Sequence, residues 1–405
     1  MARTPSIVEM KRLDASQREA LWEHHHAEWR EPARVAVQWQ GAAEADARLL
    51  KPTVKGKWWE TLSEQNITLL VTREYEHLLM ALSVRDGRPV ISYLPLPHPS
   101  GLAVDRTRNV VHVASTRNPN QVYDLAPVAS LMEREDVKTE TLEDRVLVPV
   151  RSRYYPGSLY LHDLALIKGK LHANAVGQNA VVKLTKRGGF ERVWWPRCVE
   201  TAEGAVFDRN LIQLNSIAAG KNLSSSYFSA STDKPSSRRP GHRNFPVDRR
   251  GVIFSGATRE VVARGLTRPH SARLLDKTLW VDNSGYGELG LVVQGRFNSV
   301  AALPGWTRGL CFKDRVAFVG TSRVIPRFKQ YAPGLDVDKS LCGVHAVDVE
   351  SGRVLGSLLW PTGNQIFAVD WLPVEVAASL PVIHGQKRSR GRERVLFYAY
   401  KTAHM

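Results

Sequence analysis

One phrase recurs along this chain and limits the folds open to it. A polar residue is followed by a small apolar tetrad, a turn, an alternating strand and one or two further strands. The lead positions are Ser100 (in SGLAV), His162 (HDLAL), Asn215 (NSIAA), His270 (SARLL after it), Arg308 (RGLCF) and Gln365 (IFAVD after it). They stand 38 to 62 residues apart, 53 on average. A four-stranded blade with generous loops needs about 40–50 residues. Six leads therefore predict six blades around a central tunnel, the radial answer to the problem of exposed sheet edges.

The two ends of the pattern are incomplete in complementary ways. Three strand-like runs precede Ser100, at Asn66–Thr72, His77–Leu82 and Pro89–Tyr93, and have no lead of their own. After Gln365 only Phe367–Leu372 and Val395–Tyr400 read as strands. Both ends are therefore expected to share one blade and close the ring, with a seven-bladed ring as the structural alternative. The predicted class is all-β: a six-bladed β-propeller over residues 55–405, preceded by an N-terminal helical extension over 1–54. Ser16–Trp29, capped by Asp14 or Ser16, and Ala42–Leu50 are its expected helices. Two loops break the rhythm, Lys221–Arg250 and Ile325–Ser340. Long loops in a compact domain are usually functional or disordered, and in a ring of blades, where they gather on one face, they are expected to roof the tunnel mouth.

Composition agrees with a β fold. Of 405 residues 43% are hydrophobic, enough for a large core, and 22 prolines and 29 glycines bound many short apolar runs. No apolar run nears the roughly eighteen residues of a membrane-spanning helix. The N-terminus lacks an apolar signal core, so a soluble cytoplasmic protein is expected. Three cysteines without a CxxC pair make no disulfide framework; Cys311 and Cys342 read as small core residues. The net charge is +16, much of it in the runs Lys234–Arg250 and Lys387–Arg394. Such a balance suits nucleic acid, a membrane surface or an acidic ligand. No RNP, zinc-finger or helix-turn-helix pattern accompanies it, which argues against nucleic acid.

Several phrases together resemble a bacterial family of conserved hypothetical proteins, a domain of unknown function. They are Trp194-Trp195-Pro196, Gln213-Leu214-Asn215-Ser216-Ile217-Ala218, Ser226-Tyr227-Phe228-Ser229-Ala230-Ser231, Pro269-His270-Ser271-Ala272-Arg273, Ser284-Gly285-Tyr286-Gly287-Glu288-Leu289-Gly290, Leu303-Pro304-Gly305-Trp306-Thr307-Arg308-Gly309-Leu310 and Cys342-Gly343. The resemblance spans roughly 57–375. It implies a layout similar to six-bladed propellers and brings no activity with it.

In a propeller the first strand of each blade lines the tunnel, so six polar leads are expected to converge on one axis and form a ligand site. His270, His162 and Arg308 are the candidate catalytic residues, a histidine as general base and the arginine as anion stabiliser. Ser100, Asn215, Gln365, Arg273 and Glu288 are the candidate ligand-binding residues. His162, His270 and Asn215 are the candidate ligands of one divalent metal ion, with Asp163 or Glu288 to join or orient a histidine. The bland alternative is that lead histidines hydrogen-bond neighbouring blades. Trp194 and Trp195 read as packing, Gly285–Glu288 as a turn, and His345 as structural. His24-His25-His26 lacks HExxH spacing and reads as polar helix surface. No GxSxG elbow is present. By analogy of fold, the function is a metal-assisted hydrolase or lyase of lactonase or streptogramin-lyase type, acting on a small molecule or peptide. The alternative is a non-catalytic propeller that binds a peptide, a protein or an anionic metabolite.

Overall fold

The computed structural model describes residues 45–116, 120–132, 145–238, 240–242, 244–385 and 399–402, with Asp14, Ser16, Gln17, Ala20, Glu135 and Leu396 besides. Six antiparallel sheets stand around one axis. From the axis outward, blade two is Pro99–Asp105, Val110–Ser115, Asn120–Leu131 and Leu147–Tyr155. Blade three is Leu161–Ile167, Lys170–Ala175, Ala180–Leu184 and Phe190–Trp194; blade four is Leu214–Ala218, Tyr227–Ala230, Gly251–Ser255 and Val261–Leu266. Blade five is Pro269–Leu275, Thr278–Asn283, Glu288–Val293 and Arg296–Ala302. Blade six is Trp306–Lys313, Val316–Ser322, Gly343–Asp348 and Val354–Leu359.

Blade one closes the ring. Its innermost strand, Ala368–Pro373, comes from the C-terminal side, and Ile67–Arg73, Leu78–Arg85 and Arg88–Pro95 come from the N-terminal side. Thr72 pairs with Ala368 across 296 residues of sequence. The ends are stitched further than expected. Thr53–Gly56 adds a fifth strand to blade six, so a boundary after residue 54 falls inside a strand. Tyr400–Thr402 pairs with Asn120–Leu131 of blade two and not with the shared blade, where Val382–Ile383 takes the outer edge instead. Of the expected helix Ala42–Leu50, the described part is a single 3-10 turn, Ala47–Leu50. A short helix, Trp58–Glu64, packs Trp58 and Leu62 between blades. The histidine triplet, most of the helix expected at Ser16–Trp29 and the run Lys387–Arg394 lie outside the described residues. Among the described residues no helix is long and apolar enough to cross a membrane.

The core is six wedges, one between each pair of blades. In the fully buried strand Ile67–Arg73, Leu69 and Val71 face blade six while Leu70 faces blade two. Burial on both faces explains why such strands read as continuous apolar runs instead of alternating ones. The same division holds around the ring: Ala103 and Val122 meet Leu164 and Val182, Trp194 meets Phe228 and Phe254, Val281 meets Ile253, and Trp280 meets Leu310.

Each of the five first strands from blade two to blade six carries a register shift beside its lead residue. A bulge bends the strand and re-aims a side chain. In blade six the residue after Arg308 is Gly309 at φ +92°, where a Cβ would stand 2.9 Å from Val369 Cγ2. Blade-to-blade approach at the axis therefore requires glycine there.

Candidate functional site

The bulges turn all six leads into one buried layer: Ser100, His162, Asn215, His270, Arg308 and Gln365 are each at most 6% exposed, so bulk water is excluded. Part of the layer is a chain of bonds from blade to blade. Thr72 Oγ1 donates to Ser100 O at 2.7 Å, Ser100 Oγ to Leu161 O at 3.1 Å, His162 Nδ1 to Asn215 O at 3.1 Å, and Asn215 Nδ2 to Pro269 O at 2.9 Å. For Ser100, and for one nitrogen of His162, the bland alternative holds.

The remaining contacts are denser. Arg308 Nη2 donates to His162 Nε2 at 2.8 Å, and its guanidinium lies 3.3 Å over the Phe367 ring. With its amide set to satisfy both neighbours, Gln365 accepts from Arg308 Nη1 at 3.1 Å and donates to Glu74 Oε2 at 3.2 Å. Glu74 also accepts from Thr116 Oγ1 at 2.5 Å. His162 and His270 have ring centroids 5.7 Å apart. His270 Nδ1 donates to Arg268 O at 2.7 Å, with Ser284 Oγ at 3.1 Å; its Nε2 has no hydrogen-bond partner among the described residues. Asn215 Oδ1 is likewise buried without a partner. Arg268 stacks 4.2 Å over Tyr331 and donates to Ser231 Oγ at 2.9 Å.

Both histidines are held neutral. Burial pushes His162 and His270 well below the usual imidazole range, and the positive field of Arg308 adds to it. Burial also pulls Arg308 down to about 10, which leaves it charged at neutral pH. Asp282 faces His270 across the strand pair with its carboxyl fully buried. Neither of its oxygens is in hydrogen-bond geometry, although the Ser271 hydroxyl lies beside it; burial pushes its pKa well above the ordinary carboxylate value. Arg308 thus hydrogen-bonds only neutral groups in the layer, His162 and Gln365.

The long loops sit over this end. Phe245 and Val247 from the blade-four loop meet Val324, Ile325, Tyr331 and Ala332 from the blade-six loop, around Trp306. Trp306 lies 4.9 Å from the His270 ring, so the roof rests on the site. The stretch Lys221–Arg250 is not one loop: its Tyr227–Ala230 is a buried strand, and only the part after it reaches the roof.

The three candidate metal ligands do not make a three-donor site. Both nitrogens of His162 are engaged, one of them to a guanidinium that would repel a cation, which leaves only His270 Nε2 and Asn215 Oδ1 as open donors. Among the described residues no three His, Cys, Asp or Glu side chains gather to hold a metal. Arg273 and Glu288 are also absent from the layer. Arg273 forms a two-pronged ion pair with Asp163, at 2.8 and 3.1 Å, further along the tunnel, which removes Asp163 as a histidine partner. Glu288 accepts from Asn283 Nδ2 at 2.7 Å. Sequence reasoning missed Glu74 and Arg268, both in turns; the signal was Glu74-Tyr75-Glu76-His77, a charged turn between two strands that are almost wholly buried.

The class is therefore a six-bladed β-propeller, closed by a shared blade, whose tunnel holds a buried polar layer built around Arg308. Residues 56–380 match the model of the domain of unknown function DUF4915, and the chain belongs to that family. A comparison with curated proteins finds no match. Among solved structures, the chain is similar to one in a nidogen–laminin complex (10% identity, TM-score 0.49, 75% of this chain and 98% of that one). A gluconolactonase from Xanthomonas campestris gives 13% identity, TM-score 0.41 and coverage of 73% and 86%. The calcium-binding regucalcin from Agrobacterium tumefaciens gives 11%, 0.40, and coverage of 64% and 73%. Likeness at this level carries no argument about chemistry.

Proposed function

We propose that the buried layer binds a small organic anion that also carries a hydroxyl group. The observation behind this reading is the buried guanidinium of Arg308, which hydrogen-bonds only neutral groups, His162 and Gln365, beside two imidazoles that are held neutral. An anion in a water-excluded space interacts far more strongly with such a field than it would in solution. The unpartnered acceptors, His270 Nε2 and Asn215 Oδ1, suit the hydrogen of a hydroxyl. Loading requires the Phe245–Tyr331 roof to open, which favours a small molecule over a peptide.

A second reading follows from His270 alone. A neutral imidazole with one nitrogen anchored and the other open is arranged as a general base. In that version the bound anion is a substrate, and His270 takes a proton from water or from a carbon beside the carboxylate.

Calorimetric titration with a panel of small hydroxycarboxylates tests the binding reading. Saturable binding to the wild type that is lost in Arg308→Met is the expected result. No binding, or equal binding to Arg308→Met, sinks it. The catalytic reading predicts that His270→Asn retains binding and loses turnover of the same compound.

A further inference from the structure

A second group of buried charges lies between blades six and one, apart from the layer just described. Arg73, the last residue of its strand, is 0% exposed and Arg323 is 4% exposed. Arg73 Nη1 donates to Leu49 O at 2.5 Å, and its guanidinium lies 4.8 Å over the Trp360 ring. Arg323 donates through Nη2 to Pro361 O. Four guanidinium nitrogens, Nε and Nη2 of Arg73 and Nε and Nη1 of Arg323, have no partner.

The carboxyl nearest to them is already committed. Glu76 Oε1 accepts from Asn364 N at 2.6 Å and from Gln365 N at 3.3 Å; at 3.6 Å from Arg73 Nη2 it is too far for a hydrogen bond. Its Oε2 has no partner, and neither has Asn364 Oδ1. The two arginines share surroundings: Arg73 lies against Gly363, and Arg323 N donates to the O of the next residue, Asn364, at 2.8 Å. The guanidinium lies close against the backbone of Gly363, where a Cβ would stand 2.5 Å from Arg73 Nη2 and 3.0 Å from Cys342 Sγ, so this approach requires glycine.

Buried guanidinium donors left unpaired are strongly unfavourable, and one carboxyl does not neutralise two of them. We infer that Arg73, Arg323, Glu76 and Asn364 form a second anion site, for a small oxyanion that carries a hydrogen, with monohydrogen phosphate as its simplest form. Its bare oxygens accept from the four free guanidinium nitrogens. Its P–OH donates to Glu76 Oε2 or Asn364 Oδ1, atoms that can only accept. Sulfate, which has the same shape but no proton at neutral pH, leaves those acceptors unmatched and places its charge against the Glu76 carboxyl. The same chemistry could be presented by free phosphate or by a phosphomonoester, and comparing the two separates those sources.

The test is equilibrium dialysis of the full chain with radiolabelled phosphate, alongside thermal unfolding in phosphate, sulfate and chloride at equal ionic strength. The expected result is one phosphate per chain and a rise in melting temperature of roughly 2–4 °C at a large excess of phosphate. Sulfate should give less than half of that shift. Arg323→Gln should lose the phosphate effect, Lys277→Gln on the surface should keep it, and Glu76→Gln should erase the preference for phosphate over sulfate. If Arg323→Gln is too unstable to purify, Arg323→Lys serves, with phosphate affinity reduced at least tenfold. Glucose 6-phosphate in place of phosphate distinguishes a site open to esters, which it occupies, from a closed one, which it does not; either outcome retains the oxyanion. Equal shifts in all three salts, or an undiminished phosphate effect in Arg323→Gln, overturn the inference. Arg308→Met should leave phosphate binding intact, so this site and the tunnel layer succeed or fail separately.

Discussion

Blades three and five begin alike and end differently. Each places a histidine at the lead of its first strand, beside a bulge, and a buried polar residue opposite: Asn174 in blade three and Asp282 in blade five. In blade three, His162 is bonded on both sides, to Asn215 O and to Arg308. In blade five, His270 turns back to its own Arg268 and leaves Nε2 open. The same residue in the same place thus tightens the ring in one blade and keeps one nitrogen open in the other. What separates the roles is the neighbour at each ring nitrogen, a property of the assembled ring and not of either strand.

The largest effect should come from breaking the tighter half. His162→Ala leaves Arg308 buried without its acceptor and opens a void against Phe367, 5.0 Å from the imidazole. A loss of about 3–4 kcal/mol in urea unfolding is expected. His270→Ala loses one bond and one stacked ring, and should cost only about 1–2 kcal/mol while abolishing ligand binding or turnover. Similar stability losses for the two variants would remove the distinction.

Acid should act on both blades together. The folded rings of His162 and His270 resist protonation well below 6.5, and His345, buried between Thr321 and Ser357, does so down to about 4. The unfolded chain binds those protons first. The contribution of these rings is therefore flat above pH 6.5 and falls as pH drops below it, by about 1.4 kcal/mol per unit for each such ring until its folded pKa is reached. Chemical unfolding between pH 7.5 and 5 should show the slope, and His162→Gln should reduce it by one ring's share.

The smallest effect sharpens the comparison from the opposite strand. Asp282 holds a proton that the unfolded chain releases above 3.8, so its contribution to stability is lost as pH rises through its elevated folded pKa. Asp282→Asn gives blade five the group that blade three already has. It should stabilise the protein by about 1 kcal/mol or more, and at least as much at pH 8 as at pH 5, because the unfolded carboxyl already sheds its proton above 3.8. An unchanged melting temperature at pH 8 would show that the carboxyl finds a partner in solution.

Much of this was legible because it is periodic. Six leads at similar spacing set the blade count, and the unmatched runs at Asn66–Tyr93 and Phe367–Leu372 foretold the shared blade. The convergence of Arg308, His162, His270 and Gln365 followed from position alone. What spacing could not supply was commitment. A histidine counts as a metal donor on paper whether or not a guanidinium already holds its nitrogen, as one does at His162. Glu74, Arg268, Glu76 and Arg323 escaped notice because they stand in or beside turns, where a charge reads as solvated. Arg273 and Glu288 have the right chemistry, but one lies three residues past its lead and the other on a third strand, beyond reach of the layer.

Closure of the ring has a consequence for how this protein resists being pulled apart. Gln365 and Phe367, which carry one side of Arg308, immediately precede Ala368–Pro373, the strand that zips onto Ile67–Arg73. A molecule bound against Arg308, as proposed, would therefore also fasten the strand that closes the ring to its neighbour. Tension between the ends strips Tyr400–Thr402 from blade two and Thr53–Gly56 from blade six before it reaches that seam, and the force needed at the seam should report occupancy: the filled molecule behaves as a buckled belt, the empty one as a belt merely overlapped.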